Sequence, residues 1–210
     1  MTIVDQRRAR GQRNRQALIA AAIELFDGNG YESTTVEQIS ALAGVAPRTF
    51  FHHFAAKEDI LFDGYAERLG EATRRFRAST SNSLWRALAD ASAAVAEAIS
   101  AQPEMFLVRA QLYSRHPALR AARLRINDDW IDQMTNEVAR RLDADPDTDL
   151  RPRLAVSVVN GANRAAIDTW VATNGSGDLV ASMAQAVDLL RPSITRIERL
   201  IRAEKDRRVG

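Results

Sequence analysis

Apolar side chains recur at three- and four-residue intervals along nearly the whole chain, and the two-residue alternation of a half-buried strand is almost absent. Alanine, the strongest helix former, is abundant. The pattern leaves an all-α fold. Breaks at Gly28 and Gly30, Gly44, Ser79 to Ser83, Pro103, Pro117, Asp143 to Asp149 and Asn174-Gly175 divide it into about nine helices. Asp178 is placed to cap the last one, running to about Arg202, which Pro192 is expected to kink or split.

With 210 residues the chain is one large domain or a small one followed by a larger one. A hydrophobic content of 46% excludes disorder over most of its length. The absence of cysteine removes disulfide frameworks, thiolate nucleophiles and Cys-based zinc sites. No apolar run is long enough to span a membrane, and the charged N-terminus does not read as a signal peptide, so a cytoplasmic protein is expected.

The net charge of +2 conceals an uneven distribution. Residues 1–20 carry five arginines against one acid, a net of +4; residues 21–63 carry two cations against seven acids, a net of −5. Residues 191–210 return to +4. Arg7, Arg8, Arg10, Arg13 and Arg15 read as a flexible basic arm suited to phosphates, with a solvated tail as the alternative.

Three short helices with tight turns near the N-terminus suggest a helix-turn-helix. Thr35 and Gln38 form a capping box before Val36, Ile39 and Leu42; Ala43-Gly44-Val45 makes the turn; Pro47 suits the first turn of the second helix. Ile39, Leu42 and Val45 are expected to hold the pair against the preceding helix. The second helix offers Arg48, Thr49, His52 and His53, with Arg48 suited to bidentate guanine readout. A helix with Glu58 and Asp59 in its first turn, where carboxylates suit the dipole, carries the stripe Leu61, Phe62, Tyr65, Leu69 and Phe76.

The stretch TTVEQISALAGVAPRTFFHHFAAKEDIL, Thr34 to Leu61, closely resembles the signature of the TetR family of transcriptional regulators. Thr35, Ile39, Ala43-Gly44-Val45, Thr49, His53-Phe54, Lys57 and Leu61 stand at the family's spacing. The resemblance implies that Thr35 caps its helix and touches phosphate, and that Arg48, Thr49 and His52 face the major groove. It implies that His53 and Lys57 contact backbone phosphates, and that Arg13 and Arg15 enter the adjacent minor groove or clamp phosphates. Three residues depart from the pattern. Ala46 and Ala56 replace capping serines, and Phe51 replaces a tyrosine, keeping its packing and losing a hydrogen bond of roughly 0.5–1.5 kcal/mol.

The resemblance further implies a DNA-binding domain over residues 1–60 and an effector-binding and dimerisation domain over 61–210. The helices from Leu150 to Thr173 and Leu179 to Leu190 have wide faces rich in Ala and Val, suited to a four-helix homodimer interface or to ordinary core. Phe76, Met105, Phe106, Tyr113, Trp130, Met134 and Trp170 are candidates to line an effector pocket, with core packing as the alternative. Arg109, Asn160, Asn163 and Arg164 interrupt apolar helices, where an unpartnered polar group is costly. They are candidates for a polar ligand head, the alternative being internal salt bridges, for instance with Asp128, Asp129, Asp132 or Asp168. The motif Asn160-Gly161-Ala162-Asn163-Arg164 resembles family members proposed to bind acyl-CoA-like ligands.

No catalytic constellation, phosphate loop, dinucleotide fingerprint or metal-ligand spacing emerges, so neither an enzyme nor a cofactor is expected. The expectation is a homodimeric repressor on double-stranded DNA with a palindromic operator, released by a small hydrophobic or amphipathic effector. The alternatives are a helical small-molecule-binding protein without DNA binding and a helical-bundle enzyme.

Overall fold

The computed structural model describes residues 3–209. Its helices are α1 (Ile3–Asn29), α2 (Val36–Leu42), α3 (Pro47–His53), a 3-10 turn (Lys57–Ile60), α4 (Tyr65–Ala78), α5 (Leu84–Ser100), α6 (Pro103–Arg115), α7 (Pro117–Leu142), α8 (Leu150–Ala172), α9 (Leu179–Asp188) and α10 (Arg191–Val209). Among the described residues there is no strand, and no helix is long and apolar enough to cross a membrane.

Local chemistry accounts for most of these boundaries. Ser83, Asp149 and Asp178 cap α5, α8 and α9, their side chains accepting from the N–H groups of Arg86, Arg151 and Ala181. Pro103 and Pro117 open α6 and α7, where a missing N–H leaves no bond unmade. The segment containing Pro192 splits, so α9 and α10 replace one long helix and the described residues form ten α-helices.

Two expectations are corrected. The basic arm is not an irregular tail: it is helical from Ile3 and continues into the body of α1. Arginine is itself a good helix former, and here propensity prevails over like-charge repulsion. The helix expected from Glu58 onward is broken in two. The 3-10 turn ends at Ile60, Gly64 takes φ +74°, and α4 starts at Tyr65.

The chain forms two compact units, Met1–Gly64 with Val108–Arg120, and Tyr65–Leu107 with Ala121–Gly210. In the first, Leu18, Ala22 and Phe26 of α1 are buried with Ile39 of α2, Phe50 of α3, and Ile60 and Leu61. Withdrawing each of the larger side chains from water contributes roughly 1.5–3 kcal/mol.

The second unit is built around α5, which packs on α4, α8, α9 and α10. Its main core includes Phe76, Leu84, Leu88, Met134, Val138, Val156 and Ile194. Glu198 is buried but satisfied: its carboxylate accepts from the Leu84 N–H at 3.0 Å and pairs with Arg202 at 2.6 Å. A smaller cluster joins Ile99, Trp170, Leu179 and Met183, with Phe106 and Leu107 against it. At its edge Gly175 ends the α8 segment with φ +78°. A Cβ there would lie 2.9 Å from Leu107 and 3.2 Å from the Trp170 ring, so both backbone and space require glycine.

Candidate DNA-binding and effector sites

The helix-turn-helix is set by short-range bonds. The Gln38 N–H donates to Thr35 Oγ1 at 3.2 Å, and the Thr35 N–H donates to Gln38 Oε1 at 2.9 Å, completing the capping box. Gly44 takes φ +67°, and the N–H groups of Gly44 and Val45 return to the carbonyls of Ala41 and Ser40. These bonds close α2 and aim the chain into α3. Ala46 gives α3 no side-chain cap, and Pro47 opens its first turn.

Phe50 and Phe54 are buried and fix one face of α3. On the opposite face Arg48, Phe51 and His52 are exposed, at helical positions i, i+3 and i+4. Phe51 is 58% exposed, so it belongs to this outer ridge and not to the packing face its apolar character suggested. Thr49 and His53 lie half-buried at the ridge's flanks, and Thr35 is exposed at the start of α2. Partial burial, then His52 and Arg15, push the His53 imidazole below its ordinary pKa. Arg7, Arg8, Arg10 and Arg13 are exposed along α1.

Lys57 and Arg15 are engaged inside the protein. The Lys57 ammonium donates to the carbonyls of Tyr31 at 2.8 Å, Thr34 at 3.1 Å and Glu32 at 3.4 Å, and lies 4.3 Å from the centre of the Tyr31 ring. All three of its protons are committed to the loop that precedes α2. Arg15 forms an ion pair with Asp63, donates to the His53 carbonyl at 3.3 Å, and sits 4.6 Å from the centre of the Phe54 ring. In the structure both residues are engaged in these internal ties. Asp63 and Tyr31, which complete the ties, carry no local motif and went unread.

Two of the expected effector residues also have internal work. Arg109 is buried and donates to the carbonyls of Asp63 at 2.8 Å and Ile60 at 3.3 Å, while its Nε makes no hydrogen bond. Tyr113 donates its hydroxyl to the Leu61 carbonyl, and its ring stacks on Phe62 with 5.3 Å between centres. One turn apart on α6, the two side chains grip the segment 60–63.

In the second unit Phe76, Trp130 and Met134 are core residues, the indole N–H of Trp130 donating to the Leu69 carbonyl and Thr73 Oγ1, both at 3.1 Å. Met105, Phe106 and Asn160 are half-buried. Asn163 is buried; its Nδ2 donates to Ser92 Oγ at 3.0 Å and its Oδ1 has no hydrogen-bond partner. Arg164 pairs with Asp168 at 3.3 Å, one of the expected salt bridges, whereas Asp132 pairs with Arg153. A polar hollow of about 560 Å³ is lined by Asp143, Asp145, Asp149, Leu150, Arg151 and Glu204 among others, and none of the expected effector residues line it.

Residues 18–63 match the family of bacterial regulatory proteins called tetR, and residues 82–195 match the MftR C-terminal domain. The chain is 33% identical over 195 residues to the HTH-type transcriptional regulator TcmR of Streptomyces glaucescens, covering 87% of this chain and 85% of that one. It is 27% identical over 185 residues to the fatty acid metabolism regulator protein of Bacillus subtilis, covering 82% and 91%. Among solved structures it is similar to the transcriptional regulator FadR of Bacillus subtilis in complex with stearoyl-CoA. That likeness has a TM-score of 0.60 at 25% identity and covers 84% of this chain and 97% of that one.

Proposed function

This chain belongs to the TetR family of transcriptional regulators, and we propose that it is a repressor released from a palindromic operator by a small amphipathic effector. The observation that carries the DNA-binding half is the outer ridge of α3. Arg48, Phe51 and His52 form one exposed stripe, while Phe50 and Phe54 lock the opposite face. A helix held so can enter a major groove with three side chains at the base edges. Thr35, Thr49 and His53 flank the stripe, and Arg13 with Arg7, Arg8 and Arg10 supplies phosphate neutralisation from α1.

DNA binding is assigned to residues 1–60 and effector binding with dimerisation to 61–210, except that Arg109 and Tyr113 serve the first unit. Self-association of α8 and α9 is supported by Leu150, Leu154 and Leu189, large apolar side chains left exposed on or beside these helices. An amphipathic effector is supported by the likeness to a FadR that carries stearoyl-CoA. The effector must prefer the DNA-free conformation, because equal affinity for both states shifts nothing.

The test is a gel shift of the purified protein on the DNA upstream of its own gene, with and without stearoyl-CoA or dodecanoate. A retarded band that an added amphiphile releases is expected. No retarded band at low salt would refute DNA binding there, and a band indifferent to both amphiphiles would refute the effector class.

A further inference from the structure

On α3 a large apolar side chain points outward: Phe51 is 58% exposed, between Arg48 one turn before it and His52 beside it. Single apolar side chains are common at protein surfaces, so exposure alone carries nothing. Position and support carry more. The Phe51 ring meets Phe50 edge to face, with 5.4 Å between centres and 76° between planes. Phe50 is fully buried and in turn meets Phe54, 5.7 Å away between centres. The core thus holds the inner edge of the Phe51 ring while its outer edge stands in water. A ring supported in this way is ordered before it meets anything, which lowers the entropic cost of a contact.

The chemistry of the ring limits what it can meet on DNA. It has neither a charge nor a hydroxyl, so it donates nothing to a phosphate. The groups suited to phosphates stand around it. A Cβ on Gly11 would lie 4.0 Å from Cε1 of His53, so α1 passes the end of α3 there, with the exposed Arg7, Arg8, Arg10 and Arg13 on either side of that point. In the major groove the apolar mark on a base edge is the 5-methyl group of thymine.

We infer that Phe51 reads the 5-methyl group of a thymine, close in the operator to the base that Arg48 meets. The inference rests on the proposal that α3 enters the major groove, and it names one base feature read there. Three residues of helix advance about 4.5 Å, against about 3.4 Å for one base pair, so the two bases lie within one or two steps of each other. The absence of the hydroxyl that a tyrosine would carry turns this position from a phosphate donor into an apolar probe.

The test is a gel-shift titration of the full-length protein on the DNA upstream of its own gene, made once with thymine and once with uracil throughout. Uracil keeps the O4 acceptor of thymine and lacks only its methyl group. One buried methyl corresponds to about fourfold in affinity, and two docked subunits to about 15-fold, in favour of thymine DNA. Phe51→Ala should lose that preference to within about twofold, chiefly through weaker binding of thymine DNA. Phe51→Leu should keep part of it. Loss of the methyl groups also alters the shape and stiffness of the duplex, and a preference of that origin survives in Phe51→Ala. Truncation at this exposed position leaves Phe50 and Phe54 in place; if the alanine variant fails to fold, Phe51→Leu and Phe51→Ser decide. Equal binding of both DNAs by the wild type, or full thymine preference in the folded alanine or serine variant, would overturn the inference and leave DNA binding standing. No retarded band on thymine DNA at low salt would overturn the operator reading, and the inference with it.

Discussion

Replacing Lys57 by methionine separates two roles that the same residue can play. The substitution keeps most of the apolar stem and removes the ammonium. In the structure that ammonium donates to three backbone carbonyls, at 2.8, 3.1 and 3.4 Å, and lies over the Tyr31 ring. Hydrogen bonds to charged groups are worth about 1.5–3 kcal/mol each when buried. Lys57 is only half-buried and its third contact is long, so the two short bonds are taken at the lower limit and the third is neglected. An exposed cation–π contact adds about 0.5–1 kcal/mol. Correlation between these contacts brings the expected loss to about 2–3 kcal/mol of the first unit's stability.

The alternative role, a phosphate contact, predicts a different signature. Each neutralised phosphate contributes about −0.9 to the slope of log K against log salt. An internal tie leaves that slope unchanged under conditions where the variant is folded. The assay is urea unfolding of Lys57→Met beside wild type, together with operator titrations from about 50 to 200 mM salt. A slope shallower by about 0.9 for each Lys57, with unaltered unfolding, would refute the reasoning and return the residue to the DNA.

Arg48→Ala should weaken binding to the cognate operator by about 1–3 kcal/mol and affect unrelated DNA far less, measured by competition gel shift. Gly175→Ala should destabilise the second unit by about 2–3 kcal/mol, read from thermal unfolding, because φ is +78° and the new methyl meets Leu107 and Trp170. His53 has a depressed pKa in the folded protein, so its contribution to stability is present above about pH 6.5 and is lost as pH falls through the folded value. His53→Gln should flatten the unfolding free energy between about pH 5 and 7; an unchanged slope would refute this assignment. Tyr113→Phe keeps the stack on Phe62 and leaves the Leu61 carbonyl without its hydroxyl donor, at about 1–2 kcal/mol; it should also reduce the effector's influence on operator affinity.

What the sequence made legible is what short-range chemistry decides. The Thr35–Gln38 box spans three residues, Gly44 answers one backbone angle, and Pro47, Asp178 and Pro192 act within a turn of where they stand. Such signals need no knowledge of the fold. The Lys57 tie crosses 23 to 26 residues, Arg15 reaches Asp63 across 48, and Arg109 reaches Asp63 across 46. No local pattern encodes those pairings. The basic arm departs from expectation for another reason: five arginines suggest repulsion, yet their helix propensity and the apolar residues following them in α1 carry the helix through.

Polar residues within apolar helices proved informative in a different sense from the one expected. Burial demands partners, and for Arg109 the chain supplies two of them, the carbonyls of Asp63 and Ile60; for Asn163 it supplies Ser92. Each is nonetheless left with one unmet atom, Nε of Arg109 and Oδ1 of Asn163. An unpaired buried polar atom costs about 1–3 kcal/mol. The Arg109 fork fixes two carbonyls of the segment 60–63, a task no apolar side chain can perform.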